Sequence, residues 1–423
     1  MMQNKRRFLL FVIVFIISFS YILTSLNNWT FYSRVGEFTK YAYVKMNQIT
    51  LIGKSFAPFQ YRILQPLLVE FVFRHIAIPW RDDMGEIVEN GLKTNTALTT
   101  LLNPAKSKIA SVLPSKRVFN RNVVDYLRNA LVKLGVSPKY RFFFLLIAPT
   151  VNWYESIRTI GSTSFRVLDT LLPGFSNVDH SGTYEYSVVN GAITSEFIYT
   201  ILTMLFLFLI LKKFTDDKYA FIGLLAFSAT LPLTFNVTAP ESALALMLVT
   251  IGFYMVVRDI KPGWILFLVA VGSFARADQM LFIALVYLSN QLFRKKKERK
   301  LSKLWNGVAM CVIPFAVMGL LMFVLFPNTP NNYPPSNLLY NFTNPWAYVY
   351  VLLLFNIELL FLSELFKHTF YKRTMIALVI FLFIDLVGGM VEEVRILMPA
   401  YIFMLPATML GIKKLFSEIS YEQ

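Results

Sequence analysis

The chain has 423 residues, of which 56% are hydrophobic and only 16% charged, with Phe occurring 40 times. That composition excludes an ordinary soluble domain and reads as a polytopic membrane protein. The net charge of +16 does not read as nucleic-acid binding: the basic residues cluster beside apolar segments without an aromatic-basic module, and attraction to an anionic inner leaflet accounts for them.

Lys5, Arg6 and Arg7 precede an apolar run at 8–26 that is long enough to cross a bilayer. No small-x-small cleavage site follows it, so an uncleaved first transmembrane helix is expected. The region 27–190 must then contain an even number of crossings, because the helix ending at Lys212 re-enters. Two weak candidates lie in it, 56–78 and 142–153. The first carries Arg62, Glu70 and Arg74 at helical spacing, which suits an amphipathic helix lying in the interface better than a span. Between them, 81–141 is polar and basic, and its side of the membrane stays open.

Further candidate spans follow at 195–211, 219–235, 242–257, 264–274, 280–293, 305–326, 347–366, 374–388 and 396–412. Several are shorter than a perpendicular crossing needs, as happens around polar sites within membranes. The expected fold is an all-α polytopic membrane protein with about 10 to 12 transmembrane helices. It divides into a first helix at 1–26, a long outer region at 27–190 with interfacial helices and an insertion near 81–141, and a multi-helix domain at 191–423. The stretch 327–345, with Pro-Asn-Thr-Pro-Asn-Asn-Tyr-Pro-Pro, is expected to be a non-helical outer loop.

Charge placement orients these segments. Lys212 and Lys213, Arg258 and Lys261, the run 294–300, Lys372 and Arg373, and Lys413 and Lys414 fall on one side when threaded as inner turns. The outer turns then carry Ala-Pro-Glu-Ser at 239–242, Ala-Arg-Ala-Asp at 275–278 and Glu-Glu-Val-Arg at 392–395. Ionisable groups beside hydrocarbon are expensive, so a set collected on one face reads as a site.

Arg62, flanked by Gln60 and Tyr61, offers a fork-shaped donor suited to a phosphate, or equally an interfacial Arg snorkelling to headgroups. Glu241 follows Pro240 at a helix start, an ordinary place for a carboxylate and also one from which it could bind sugar hydroxyls. Arg276 and Asp278 sit in a tight turn between two short helices, and Glu392, Glu393 and Arg395 open the last one; each set could equally be a local ion pair. Glu37, shortly after the first helix, is a candidate general base for a hydroxyl acceptor or a solvated surface carboxylate.

The three His are far apart and Asp82-Asp83 and Asp216-Asp217 lack a metal-ligand spacing. No Gly-rich phosphate loop or nucleophile elbow occurs, so a cytosolic nucleotide is not expected as fuel. The single Cys311 rules out an internal disulfide framework. Asn28, Asn236 and Asn341 match the short glycosylation sequon on the outer side.

The stretch Phe-Gln-Tyr-Arg-Ile-Leu-Gln-Pro at 59–66, the Pro-Glu-Ser helix start, the Arg276 and Asp278 turn, and Glu-Val-Arg-Ile-Leu-Met-Pro at 393–399 together resemble the polytopic glycosyltransferases of the GT-C type, in their divergent bacterial form. The resemblance covers most of the chain outside 81–190. It implies a GT-C-like fold and a polyprenyl-phosphate-linked sugar as donor. A glycan, lipid or protein is the implied acceptor, and the site faces outward from a bacterial inner (plasma) membrane with both termini cytoplasmic. It also implies a first-loop carboxylate as base, acceptor ligand or metal ligand; an Asp is usual there, and this chain offers Glu37. No metal residue is assigned, no cofactor beyond the lipid-linked donor is implied, and a divalent metal stays open. A lipid-linked glycan polymerase or ligase and a glycolipid transporter or flippase are the alternative readings.

The charge pattern makes a topology testable: Asp278 and Glu393 outside, both termini inside. In a Cys311→Ser background, a Cys placed at 278 should react with an impermeant maleimide only from the outer side. Reaction from the inner side alone would overturn the topology.

Overall fold

In a computed structural model, the structure describes residues 61–76, 182–231, 240–295, 299–327, 336–389 and 394–419, with the single positions 12, 50, 51, 297, 329 and 391. The first helix expected at 8–26, apart from Val12, and the segments 81–141 and 142–153 lie outside the described residues. Among the described residues the secondary structure is entirely helical. The helices are α1 (Leu64–Phe71), α2 (Gly182–Phe214), α3 (Asp217–Thr230), α4 (Pro240–Val257), α5 (Pro262–Leu292), α6 (Leu301–Gly319, continued by a π-helical stretch Leu320–Leu325), α7 (Leu338–Thr343), α8 (Pro345–Leu360), α9 (Leu362–Lys367), α10 (Thr369–Gly388) and α11 (Met398–Ile419).

Among the described residues, four stretches are long and apolar enough to cross a membrane: Gly191–Phe214, Pro262–Leu292, Leu301–Leu325 and Val394–Ser417. Glu241–Val257 and Ala347–Leu360 are shorter apolar helices. Burial sorts them. The window in Val394–Ser417 is 83% buried and that in Leu301–Leu325 only 17%, which makes α11 the axis of the bundle and α6 its periphery. Around α11, Phe403 packs against Phe253 of α4, Phe282 of α5 and Tyr371 of α10, with ring centroids 5.4, 5.7 and 5.2 Å apart. On α6, Trp305, Val308, Val312, Phe315 and Phe323 are exposed at helical spacing. An outward apolar stripe of this kind suits contact with lipid chains rather than water.

By composition α5 is one span, but its geometry is that of a hairpin. Arg276 departs from helical backbone, with φ −155° and ψ 100°. Asp259, just ahead of α5, pairs with Arg294, just after it, at 3.2 Å; a straight helix of 31 residues would separate those ends by roughly 46 Å. A Cβ on Gly272 would meet the Met280 side chain, and one on Gly252 of α4 would meet both Leu268 and Ile283. The arms 262–275 and 277–292 therefore run antiparallel with Arg276 at the tip, as expected for two short helices joined by a tight turn.

The ends of the bundle differ in charge. At one end Lys413 pairs with Asp216 at 3.1 Å, Lys212 with Asp217 at 2.8 Å, and Lys367 and Lys414 both with Glu364. Asp216 also caps α3 by accepting from the Tyr219 N–H. Asp259 belongs to the same end, since the Tyr254 ring packs edge-on against Phe206 and the Phe253 ring is tilted against Phe370. It holds a left-handed φ of 49°, which a short polar side chain tolerates. Partial burial pushes its carboxyl up, but hydrogen bonds from Lys303 and Arg294 outweigh that and hold it below the usual range.

Two expectations require correction. The stretch 327–345 contains helix α7, because no proline falls between Pro335 and Pro345, which leaves Leu338–Thr343 able to wind one turn and a half. Asn341 is not an accessible sequon: it is buried, donates to the Leu386 and Gly389 carbonyls and accepts from the Val391 N–H. With Asn337, which donates to the Gly388 carbonyl, it satisfies the frayed end of α10. Asn28 and Asn236 lie outside the described residues.

Among the described residues, the segment containing Arg62 forms the eight-residue helix α1, with Pro66 in its first turn, and a 3-10 turn at Phe73–His75, each too short to span. It rests on α2 where Gly191 is: a Cβ there would come 2.7 Å from the Arg74 backbone nitrogen. Backbone cannot swing aside as a side chain does, so Gly191→Ala should cost about 1–3 kcal/mol and lower the thermal midpoint. Gly263→Ala, where nothing lies within 4 Å, should leave it unchanged or slightly raised, and differential scanning fluorimetry compares the two.

Candidate functional site

The end of the bundle opposite the lysines is built from five places in the chain. α4 begins at Pro240, whose missing N–H costs nothing in a first turn, and Glu241 follows. The Glu241 side chain is buried and lies 3.4 Å from Arg62 Nη1, the residue that leads into α1. The tip of α5 brings Arg276, and a 3-10 turn at Val394–Leu397 ahead of α11 brings Arg395. Arg395 therefore does not open the last helix, as expected, but precedes it: the helix proper starts at Met398 with Pro399 in its first turn.

At the tip, Arg276 grips Asp278 with two donors, Nε to Oδ1 at 3.2 Å and Nη2 to Oδ2. Arg276 is 5% exposed and Asp278 33%, so the guanidinium is sealed and the carboxylate faces outward from the pair. Charges here act on one another. Arg62 feels Arg276, Glu241, Asp278 and Arg395, and Arg276 feels Asp278, Asp385 and Arg395. Burial and the nearby Arg276 pull the Arg62 guanidinium below its ordinary value, while Glu241 opposes them.

Arg62, Glu241, Arg276, Asp278 and Arg395, singled out separately in the sequence, thus share one neighbourhood. Tyr61 sits beside Arg62, half-buried. Glu37, Gln60, Glu392 and Glu393 lie outside the described residues. Asp385 was not singled out and belongs to the group: it is buried near the end of α10, feels Asp278 and Arg276, and its Oδ2 has no hydrogen-bond partner. It is the only acidic residue within the apolar run of α10, and a carboxylate inside such a run is itself a sign of a site.

Three arginines with interleaved carboxylates can hold a phosphate-bearing group while a carboxylate accepts a proton or meets hydroxyls. Among the described residues no group of three or more His, Cys, Asp or Glu is placed to hold a metal ion. No known family, characterised protein or solved structure matches the chain.

The Arg276 and Asp278 pair predicts its own mutational signature. Removing Asp278 leaves the Arg276 guanidinium buried alone, at a cost of about 3–5 kcal/mol, whereas removing Arg276 leaves a carboxylate that is 33% exposed, and an apolar pair of similar volume is close to neutral. Asp278→Leu should destabilise the protein sharply and Arg276→Met less, and adding Arg276→Met to Asp278→Leu should recover most of the loss. Additive losses in thermal unfolding would show that the pair is not coupled.

Proposed function

We propose that this chain is a membrane glycosyltransferase of GT-C-like character that moves a sugar from a polyprenyl-phosphate-linked donor to an acceptor at the outer face of the membrane. The observation that carries the proposal is the convergence of Arg62, Arg276 and Arg395 with Glu241, Asp278 and Asp385 at one end of an otherwise apolar bundle, opposite the end rich in paired lysines. The positive-inside rule makes the lysine end cytoplasmic and the arginine-carboxylate end external, in keeping with a bacterial inner membrane and cytoplasmic termini.

The chemistry follows from the groups. The acceptor hydroxyl oxygen forms a bond to the anomeric carbon as the bond from that carbon to the donor phosphate oxygen breaks. The phosphate departs with the electron pair, and guanidinium groups steady the charge that gathers on it. The hydroxyl proton passes to a carboxylate, for which Glu37 is the first assignment. A donor whose tail stays in the bilayer suits a site at a membrane face, and membrane lipids and the acceptor glycan, lipid or protein are the partners.

Two substitutions test the roles. Arg62→Lys keeps the charge but loses the planar fork, so it should impair donor binding almost as fully as Arg62→Ala; full retention would mean that Arg62 only snorkels to headgroups. Glu37→Gln should leave donor binding near normal and lower turnover about 10²-fold or more, with Glu37→Asp keeping part of the rate. The assay is transfer of radiolabelled sugar from a polyprenyl-phosphate donor by purified protein in lipid. Parental turnover in Glu37→Gln beside a dead Asp278→Asn moves the base to the tip of α5.

A further inference from the structure

The end of the bundle away from the arginine-carboxylate site holds a second concentration of charge, and it is not balanced. Segments 258–261 and 294–303, at the two feet of the α5 hairpin, contain nine basic residues against two acidic ones, a net charge of +7. The fold ties them into one knot. Asp259 Oδ1 lies 3.2 Å from Arg294 and 2.9 Å from Lys303. Arg299 donates to the Arg294 carbonyl at 3.4 Å, and the Lys303 N–H donates to the Lys300 carbonyl at 3.1 Å. Arg258 precedes Asp259 in the chain and lies over the Tyr254 ring, 5.6 Å from its centroid; Lys261 is two residues beyond Asp259.

The neighbouring helix ends are built differently. There Lys212, Lys367, Lys413 and Lys414 share three carboxylates, those of Asp217, Glu364 and Asp216. In the knot Asp259 is taken by Arg294 and Lys303. Arg258, Lys261, Lys295, Arg299 and Lys300 are all exposed, and none of them meets a carboxylate among the described residues. A general attraction to an anionic leaflet acts on both regions alike. An excess of cations confined to one knot suits a multivalent anion seated there.

The surroundings decide what kind of anion. The first two turns of α5 and α6 lead away from the knot with Trp264, Phe267, Leu301 and Trp305 at 62, 60, 67 and 65% exposure. An aromatic and apolar surface directly beside a cationic one matches a ligand with acyl chains attached to its phosphates, and indoles gather at headgroup level. A soluble polyanion would leave that surface against water.

We propose that the base of the α5 hairpin binds a phospholipid carrying two phosphates, of the diphosphatidylglycerol kind, in the leaflet that the positive-inside rule makes the inner one. With Arg258 and Lys261 in one turn and Lys295, Arg299 and Lys300 in the other, each phosphate has cations of its own. The lipid then joins the two turns from outside, as Asp259 joins them from within. This inference stands independently of the glycosyl-transfer reading.

Native mass spectrometry of the purified full chain in neutral detergent, titrated with diphosphatidylglycerol, phosphatidylglycerol or phosphatidylcholine, reads the affinity for the first lipid bound. Diphosphatidylglycerol should bind about tenfold or more tightly than phosphatidylglycerol, and phosphatidylcholine more weakly than either. Lys261→Gln, Lys295→Gln and Lys300→Gln together should lower the diphosphatidylglycerol affinity about tenfold or more. Lys212→Gln, Lys213→Gln and Lys413→Gln together remove the same charge from the neighbouring helix ends and should change it less than about twofold. None of these lysines is buried, so both triple variants should fold. In the parent protein inorganic tripolyphosphate should displace the lipid only at about a hundredfold excess or more. Equal affinity for the two anionic lipids, or the same loss in both triple variants, means diffuse attraction and overturns the site. Displacement by equimolar tripolyphosphate would give the knot to a soluble polyanion and overturn the lipid.

Discussion

A guanidinium placed among apolar helices is tolerated only when an anion shares its fork, because the penalty for taking it out of water is several kcal/mol. Arg276 meets that condition through Asp278, two residues on, and the geometry of the pair explains the backbone between them. A continuous helix would place residues two apart on nearly opposite faces. The extended conformation at Arg276 turns the chain and lets both side chains face each other. The rest follows from that turn. The arms of α5 fold back together, the Asp259 and Arg294 pair closes their far ends, and the tip comes within range of Arg62, Asp385 and Arg395.

The other charged groups obey the same economy of placement. Every paired lysine described above sits at the end where α2, α9 and α11 terminate, and each has a carboxylate within reach. The Lys212–Asp217 and Lys413–Asp216 contacts are largely exposed and contribute little individually, whereas Glu364, which takes both Lys367 and Lys414, is buried; together they fix which helix ends are neighbours. At the opposite end the groups are buried, so pairing there decides whether the fold is tolerated at all. Asn337 and Asn341 do for backbone what Asp278 does for Arg276. They supply partners to the last carbonyls of α10, just before the chain turns toward Arg395.

Much of this was legible because charged residues are scarce in an apolar sequence. Arg276 with Asp278, and Glu241 after Pro240, stand out at breaks between hydrophobic runs, and a break is where a turn must be. Asp385 was harder to read since it interrupts nothing: it lies within the run of α10 and looks like an isolated polar residue until the tip of α5 is seen to approach it. Glu358, likewise alone in α8 and hydrogen-bonded by the Tyr401 hydroxyl, escaped for the same reason. Asn341 was misread because the sequon is a local pattern and its actual partners are about fifty residues away. The helix at Leu338–Thr343 was missed because the prolines before it dominate the local composition. Gly191 could not have been read as a packing contact at all, as nothing near it in the chain announces the Phe73 and Arg74 backbone lying against it.

The folded-back α5 also has a consequence for the lipid around it. Its arms span 262–275 and 277–292 and are about 20 and 24 Å long, while the hydrocarbon layer of a typical bilayer is about 30 Å thick. With its base, held together by Asp259, Arg294 and Lys303, at the headgroups of one leaflet, the tip would stop several ångströms short of those of the other. Hydrophobic mismatch of this size is relieved by thinning the bilayer or admitting polar groups to that depth. On the proposed topology the outer leaflet beside α5 would be dimpled, and a lipid whose headgroup rides lower than its neighbours would be the one positioned at the arginines.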